Sequence, residues 1–319
     1  MDSYNCFYSA LYYMLEQCCP GASKLLINNR WQFFYSQTDK YSDDFRFVGE
    51  FPLLYDKAHL ALLKEQVGVN VSFSNMDNEN SANFFHRLGT KNEILFVNKA
   101  YIIAEQLLLK KRNCVTTVIA KRVNHRCSIL KTFDDDLDSD ILVDNEKLYH
   151  SWRCASEYAQ LNTCNINIQV LKSIDMSSAY YFAKSIAIKS LLDYLAVKQD
   201  GKYFFGNYGL KLFAHDVLNW ENMSYKRMVD CSLYLNTIVK QRIFFASMLT
   251  SVLENSSMQV VGEINKNFED WNKLKKLFFV VGMRKQSGAA KQLSVSVNAL
   301  AAQEKKLVSN IIEVLYDHI

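Results

Sequence analysis

Beyond Pro52 the chain reaches Ile319 without another proline, and only ten glycines punctuate its 319 residues. Those two residue types end helices and turn strands, so their scarcity argues against a many-turned all-β fold and predicts long helices. The prediction is strongest in the second half. Tyr180 to Val197, Tyr208 to Trp220, Arg227 to Glu254, Val260 to Val281 and Leu293 to Asp317 each repeat apolar residues at helical spacing.

The first half has a different character. A helix is predicted from Cys6 to Gln17, with Phe7, Ala10, Leu11, Met14 and Leu15 on one face, stopping at Cys19-Pro20-Gly21. Ala58 to Val67 reads as a helix ended by Gly68, and Ala100 to Lys111 as another. Alternation predicts strands at Phe45 to Phe51 and Val69 to Phe73, and β-branched residues predict one at Cys114 to Ala120. His125 to Phe133 and Asp140 to Asp144 read as two further strands joined by the acidic turn Asp134 to Asp140. The fold class expected is α+β, with a mixed domain over 1–170 and an all-helical domain over 171–319.

Chemistry enters with Cys6. A thiol in the first turn of a helix meets unpaired backbone N–H groups and the positive end of the helix dipole, both of which favour the thiolate. A cysteine beside a helix face is more often a small buried hydrophobe, so the case depends on a base and a carboxylate elsewhere. His125 and Asp144 supply both. Antiparallel pairing across the acidic turn brings the head of one strand to the tail of the next, and the order Cys, His, Asp is that of papain-like enzymes. The other histidines have plainer explanations: His59 and His86 read as structural or surface residues, and His150 and His215 as surface or capping ones. Burial in strands accounts for Cys114 and Cys127.

Composition narrows the partners. A net charge of +4 at 22% charged residues gives no concentrated basic stripe, so nucleic acid is not expected. The eight cysteines show no zinc-type spacing, and the acidic turn lacks the glycine and final glutamate of a calcium loop, so no metal is expected. Neither a secretory leader nor an apolar run of about 18 residues is present, which predicts a cytoplasmic protein with no membrane partner and with free thiols.

Three stretches together resemble the butirosin-biosynthesis protein H family of papain-like acyltransferases, related in fold to C39-type peptidases. They are Asn5-Cys6-Phe7-Tyr8-Ser9-Ala10-Leu11; Val123-Asn124-His125 through Phe133 to Ile141-Leu142-Val143-Asp144; and, in the second half, Gly209 to Trp220 with Gln241-Arg242 and Trp271. The resemblance implies a papain-like catalytic domain followed by a helical one. It also implies transfer of an acyl or aminoacyl group from the phosphopantetheine thioester of a carrier protein to an amine, in natural-product assembly. Carried onto this chain, Cys6 is the nucleophile, His125 the base and Asp144 the residue that orients it. No other cofactor is implied. The chain departs from the family in Arg126-Cys127-Ser128, where large apolar residues usually follow the histidine, and in having only five residues before the nucleophile. Asn5, with the backbone N–H of Cys6, then stands in for the usual oxyanion donor. The same triad with water as acceptor gives a thioesterase or a peptidase/amidase; a scaffold that kept only the fold is the non-enzymatic alternative.

Overall fold

A computed structural model describes residues 6–18, 20–27, 29–36, 48–49, 57–74, 80–89, 92–102, 115–132, 140–159, 165–170, 174–222, 225–253, 258–284 and 288–317. The helices are α1 (Cys6–Cys18), α2 (Ser23–Ile27), α3 (Lys57–Leu62), α4 (Ser81–Leu88), α5 (Lys99–Ile102), α6 (Asn145–Ala159), α7 (Met176–Leu195), α8 (Gly206–Val217), α9 (Tyr225–Leu253), α10 (Met258–Arg284) and α11 (Ala289–Asp317). The strands are β1 (Phe34–Ser36), β2 (Val48–Gly49), β3 (Val69–Ser74), β4 (Glu93–Asn98), β5 (Val115–Arg122), β6 (Cys127–Lys131), β7 (Asp140–Asp144), β8 (Asn165–Val170), β9 (Lys198–Asp200) and β10 (Tyr203–Phe205). The chain is thus mixed helix and antiparallel sheet with a helical C-terminal region.

It divides into two compact units: Met1–Ser23 with Leu60–Ile174, and Lys24–His59 with Asp175–Ile319. In the first unit six antiparallel strands stand in the order β3-β8-β4-β5-β6-β7. Leu130 of β6 and Val143 of β7 join a core with Phe84 and Leu88 of α4 and Leu148 and Trp152 of α6, so α4 and α6 cover one face. Lys131, which alternation turns to the other face, lies 4.9 Å over the ring of Tyr13 in α1. The sheet is therefore sandwiched, and β4 and the middle of β5 are buried on both sides. Of the face predicted for α1, Ala10, Leu11 and Leu15 are buried and Met14 is half-buried, and Tyr8, not predicted there, is buried beside them. Its C-terminal end is closed by Glu16, which accepts from the Gly21 N–H at 2.9 Å and from the Ser23 hydroxyl.

The second unit is not wholly helical, contrary to the expectation for 171–319. Gly201, at φ +55°, turns the chain between β9 and β10, and β10 pairs with β1 in a small sheet of order β2-β1-β10-β9. Two short strands set among long helical periods leave too few residues to register as a separate pattern. Helices α7 to α11 follow the predicted periods closely, and their interior is aromatic: Phe213 packs against Phe33, Tyr35, Trp220 and Phe278. Trp220, Gln241, Arg242 and Trp271, singled out in the sequence, are all buried here.

The start of α8 shows how tightly the unit closes. Gly206 has φ +60°, and a Cβ there would stand 2.2 Å from the backbone oxygen of Tyr194. Gly206→Ala is therefore expected to cost more than about 2 kcal/mol, because backbone strain and a backbone clash coincide. Chemical denaturation followed by circular dichroism measures it; a loss within about 0.5 kcal/mol, the range of an ordinary surface change, would contradict the close approach.

Candidate active site

Cys6 is the first residue of α1, as the sequence predicts. Asn5 lies outside the described residues, as does the tip of the acidic turn, 133–139.

His125 is not at the head of a strand. It stands exposed in the tight connection between β5 and β6, because the Asn124 side chain folds the backbone there into a turn. Asn124 Oδ1 accepts from the N–H groups of Arg126 (2.8 Å) and Cys127 (2.9 Å), while the N–H groups of Val123 and Asn124 both donate to the Cys127 carbonyl. Asn145 ties this turn to the next element. Its backbone N–H donates to the Arg126 carbonyl at 2.8 Å, its Nδ2 donates to the Asn124 carbonyl at 3.2 Å, and its Oδ1 accepts from the buried Ser128 hydroxyl at 2.7 Å. The side chains that shape the loop are those of Asn124, Asn145, Ser128 and Arg122, whose Nε donates to the Asn124 carbonyl at 3.0 Å, and sequence reasoning gave none of them a role. The signal available was Asn124, an asparagine at a strand end where side-chain turns form.

Asp144 ends β7 directly opposite Cys127, so the hairpin brings it to the sheet end that carries the His125 turn. Residues paired across antiparallel strands share a face, and Cys127 and Asp144 alternate onto the face of Lys131, where α1 packs on β5 while Ile129 of β6 and Leu142 of β7 stand exposed. Asp144 also caps α6. Its Oδ1 accepts from the N–H groups of Glu146 at 2.9 Å and Lys147 at 3.2 Å, satisfying two donors that a helix start leaves open. Among the described residues no hydrogen bond or ion pair joins His125 to Asp144, and Oδ1 is engaged by the helix.

The two tasks of Asp144 are separable. Asn caps a helix as well as Asp does, so Asp144→Asn should leave stability nearly unchanged, whereas Asp144→Ala should cost about 1 kcal/mol through the lost cap. Thermal melts of both variants check this, and equal losses would mean that the cap contributes nothing.

The remaining candidates are where plainer readings put them, with one exception. His59 is buried against Phe182, with ring centroids 5.6 Å apart, and His86 and His150 are exposed. His215 is exposed, 3.4 Å from Asp216. Cys231 is buried, which pushes its thiol well above the usual range. Cys127 is half-buried rather than buried, because β6 lies next to the sheet edge. Among the described residues no cluster of three or more His, Cys, Asp or Glu could hold a metal ion, and no helix is long and apolar enough to cross a membrane.

No protein-family model matches the chain, and no curated protein matches it.

Proposed function

We propose that the protein is a cysteine acyltransferase with a papain-like first unit, taking an acyl or aminoacyl group from a carrier-protein thioester to an amine. The observation that carries the reading is the shared sheet face. The helix that begins at Cys6 packs on β5, the strand that leads into the His125 turn, and Asp144 ends β7 on the same face of the sheet.

In this reading the Cys6 thiol gives its proton to His125 and attacks the thioester carbonyl. The carbon–sulfur bond to the pantetheine arm breaks, the imidazolium returns the proton to the departing thiolate, and the acyl group stays on Cys6. The amine then attacks this second thioester, His125 takes the amine proton and passes it to the Cys6 sulfur, and an amide leaves. Asn5 and the Cys6 N–H hold the oxyanion, and Asp144, through the oxygen not engaged by α6, orients the imidazole. A weakly basic protein working on an acidic carrier needs no metal or further cofactor in this scheme.

The exposure of His125 favours a second reading in which water is the acceptor and the enzyme is a thioesterase or amidase. One experiment addresses both. The protein is incubated with an acyl-loaded carrier protein and its intact mass measured, with and without an added amine. An adduct lost in Cys6→Ala supports thiol catalysis; amide product supports transfer, free acid supports hydrolysis. No adduct, together with no alkylation of Cys6 near neutral pH, would leave the fold as a scaffold.

A further inference from the structure

Two of the longest helices, α9 and α10, are joined by only 254–257 and pack on each other, so they run antiparallel as a hairpin within the second unit. Lys275 Nζ donates to Asn236 Oδ1 at 2.9 Å, and the two residues stand the same number of positions from that connection, which fixes the register of the pair. Leu233 is one turn before Asn236, and Phe279 and Met283 are one and two turns after Lys275. In an antiparallel pair those steps lead to the same end and the same side. All three are exposed, at 63%, 45% and 61%. Two turns the other way stand Ile243, also exposed, and Phe268, half-buried. The groove between the two helices thus has apolar side chains at both ends.

Its middle is cationic. Lys275 is half-buried, and Lys276 beside it is exposed. Burial and the neighbouring charges of Lys240 and Lys276 hold the Lys275 ammonium below the ordinary lysine range. Its hydrogen-bond partner, Asn236, is neutral, and an ammonium has further N–H donors to give. Among the described residues no carboxylate pairs with Lys275 or Lys276. The nearby acids of α10 serve another lysine: Asp270 accepts from Lys273 at 2.9 Å, and the Glu269 charge also acts on Lys273. Like charges are therefore gathered in a partly dry seam whose own acids are turned elsewhere.

We propose that this groove docks an acidic amphipathic helix of a partner protein. Carboxylates at its middle lie over Lys275 and Lys276, and apolar side chains at its two ends pack against Leu233, Phe279 and Met283 on one side and Ile243 on the other. An amphipathic helix laid in an apolar groove is a recurrent mode of protein recognition, and opposite charge selects the partner. Phe268 to Met283 is about 22 Å of α10, matched by a partner helix of about fifteen residues. The order apolar, basic, apolar along one line fits a helix better than a lipid surface, which takes apolar side chains at the centre of a patch and lysines at its margin. The inference goes beyond the thiol chemistry and does not depend on Cys6.

The test uses the full-length protein and two fluorescein-labelled peptides of about fifteen residues, each stapled as a helix with leucines at both ends of one face. One carries glutamates at the centre of that face and the other glutamines. Fluorescence anisotropy at low salt should give the glutamate peptide at least about tenfold the affinity of the glutamine one, and about 0.5 M salt should close most of the gap by screening exposed charges. Lys276→Glu should weaken the glutamate peptide about fivefold or more and leave the glutamine peptide unchanged, whereas Phe279→Ser should weaken both about threefold or more. Both side chains are exposed, so both variants should fold, and thermal melts check that they do. Phosphatidylserine vesicles are the control for a lipid surface. Binding of neither peptide, equal affinities for the two, unchanged affinity in either variant, or capture by the vesicles with no peptide binding would each overturn the proposal.

Discussion

Removing the carboxylate of Glu304 is expected to destabilise the second unit by about 3–5 kcal/mol, the cost typical of breaking a buried ion pair from one side. Glu304 and Arg242 are both fully buried, and Arg242 Nε donates to Glu304 Oε1 at 2.8 Å. The same carboxylate accepts from Trp271 Nε1 at 2.7 Å, from Arg242 Nη2 at 3.3 Å and from the Tyr194 hydroxyl. Burial, reinforced by the Glu304 charge, pushes the Tyr194 hydroxyl well above its ordinary pKa, so it remains a donor. Arg242 in turn reaches the Gln32 carbonyl at 3.3 Å and the Gln241 side chain, and its guanidinium lies 3.8 Å over the Trp31 ring. Glu304→Ala strands that guanidinium without its counter-charge. Urea unfolding monitored by circular dichroism gives the loss as a lower midpoint at unchanged slope. The double replacement Glu304→Leu with Arg242→Met should recover much of it, since apolar pairs of similar volume often replace buried ion pairs at little cost. A Glu304→Ala protein within about 1 kcal/mol of the parent, the range of an exposed pair, would show that these charges are not committed to each other.

His125→Ala is expected to lower acyl transfer by about 10²–10⁴-fold, the contribution of a positioned general acid–base. His125 is exposed in its turn, so its replacement should leave the fold intact. That separates it from Ser128→Ala, which removes the 2.7 Å hydrogen bond to Asn145 that ties the turn down. Ser128→Ala should act through geometry, with a smaller loss in rate and with Cys6 still alkylated at its parent rate. If His125→Ala retained full transfer, the base would have to be sought elsewhere, and the reading of this sheet end as an active site would fall with it.

The long helices were legible because each repeats its apolar residues over many turns, and α9, α10 and α11 need no partner to declare their period. The strands were legible where one face meets water or, as in β5, where β-branched residues cluster. β3 alternates and was found, and β7 was found as a short apolar run between Asp140 and Asp144; β4, Glu93 to Asn98, is buried along its whole length, so it shows no alternation and was missed. β8 was missed as well, lost at the join between the two halves of the chain. The helix after Asp144 escaped for a different reason: its cap was the residue already read as a catalytic carboxylate, although Asp before Asn-Glu-Lys is also a helix-start pattern. Of the candidate site, the placement of Cys6 at a helix start and of Asp144 at a strand end follows from local spacing. The clamp of Asn145 and Ser128 on the His125 turn, and the pairing of Arg242 with Glu304, are contacts between segments too far apart for any local window to contain.

The small sheet of the second unit also bears on how the protein is made. Phe34 pairs with Phe205, while the chain between them contributes most of the other unit. A ribosome must add roughly 170 residues after β1 before its partner strand exists, about 10–30 s at ordinary elongation rates. During that interval β1 and the aromatic segment Trp31 to Tyr35 are a nascent strand without its β10 partner, which makes them the natural place for a chaperone to engage the growing chain.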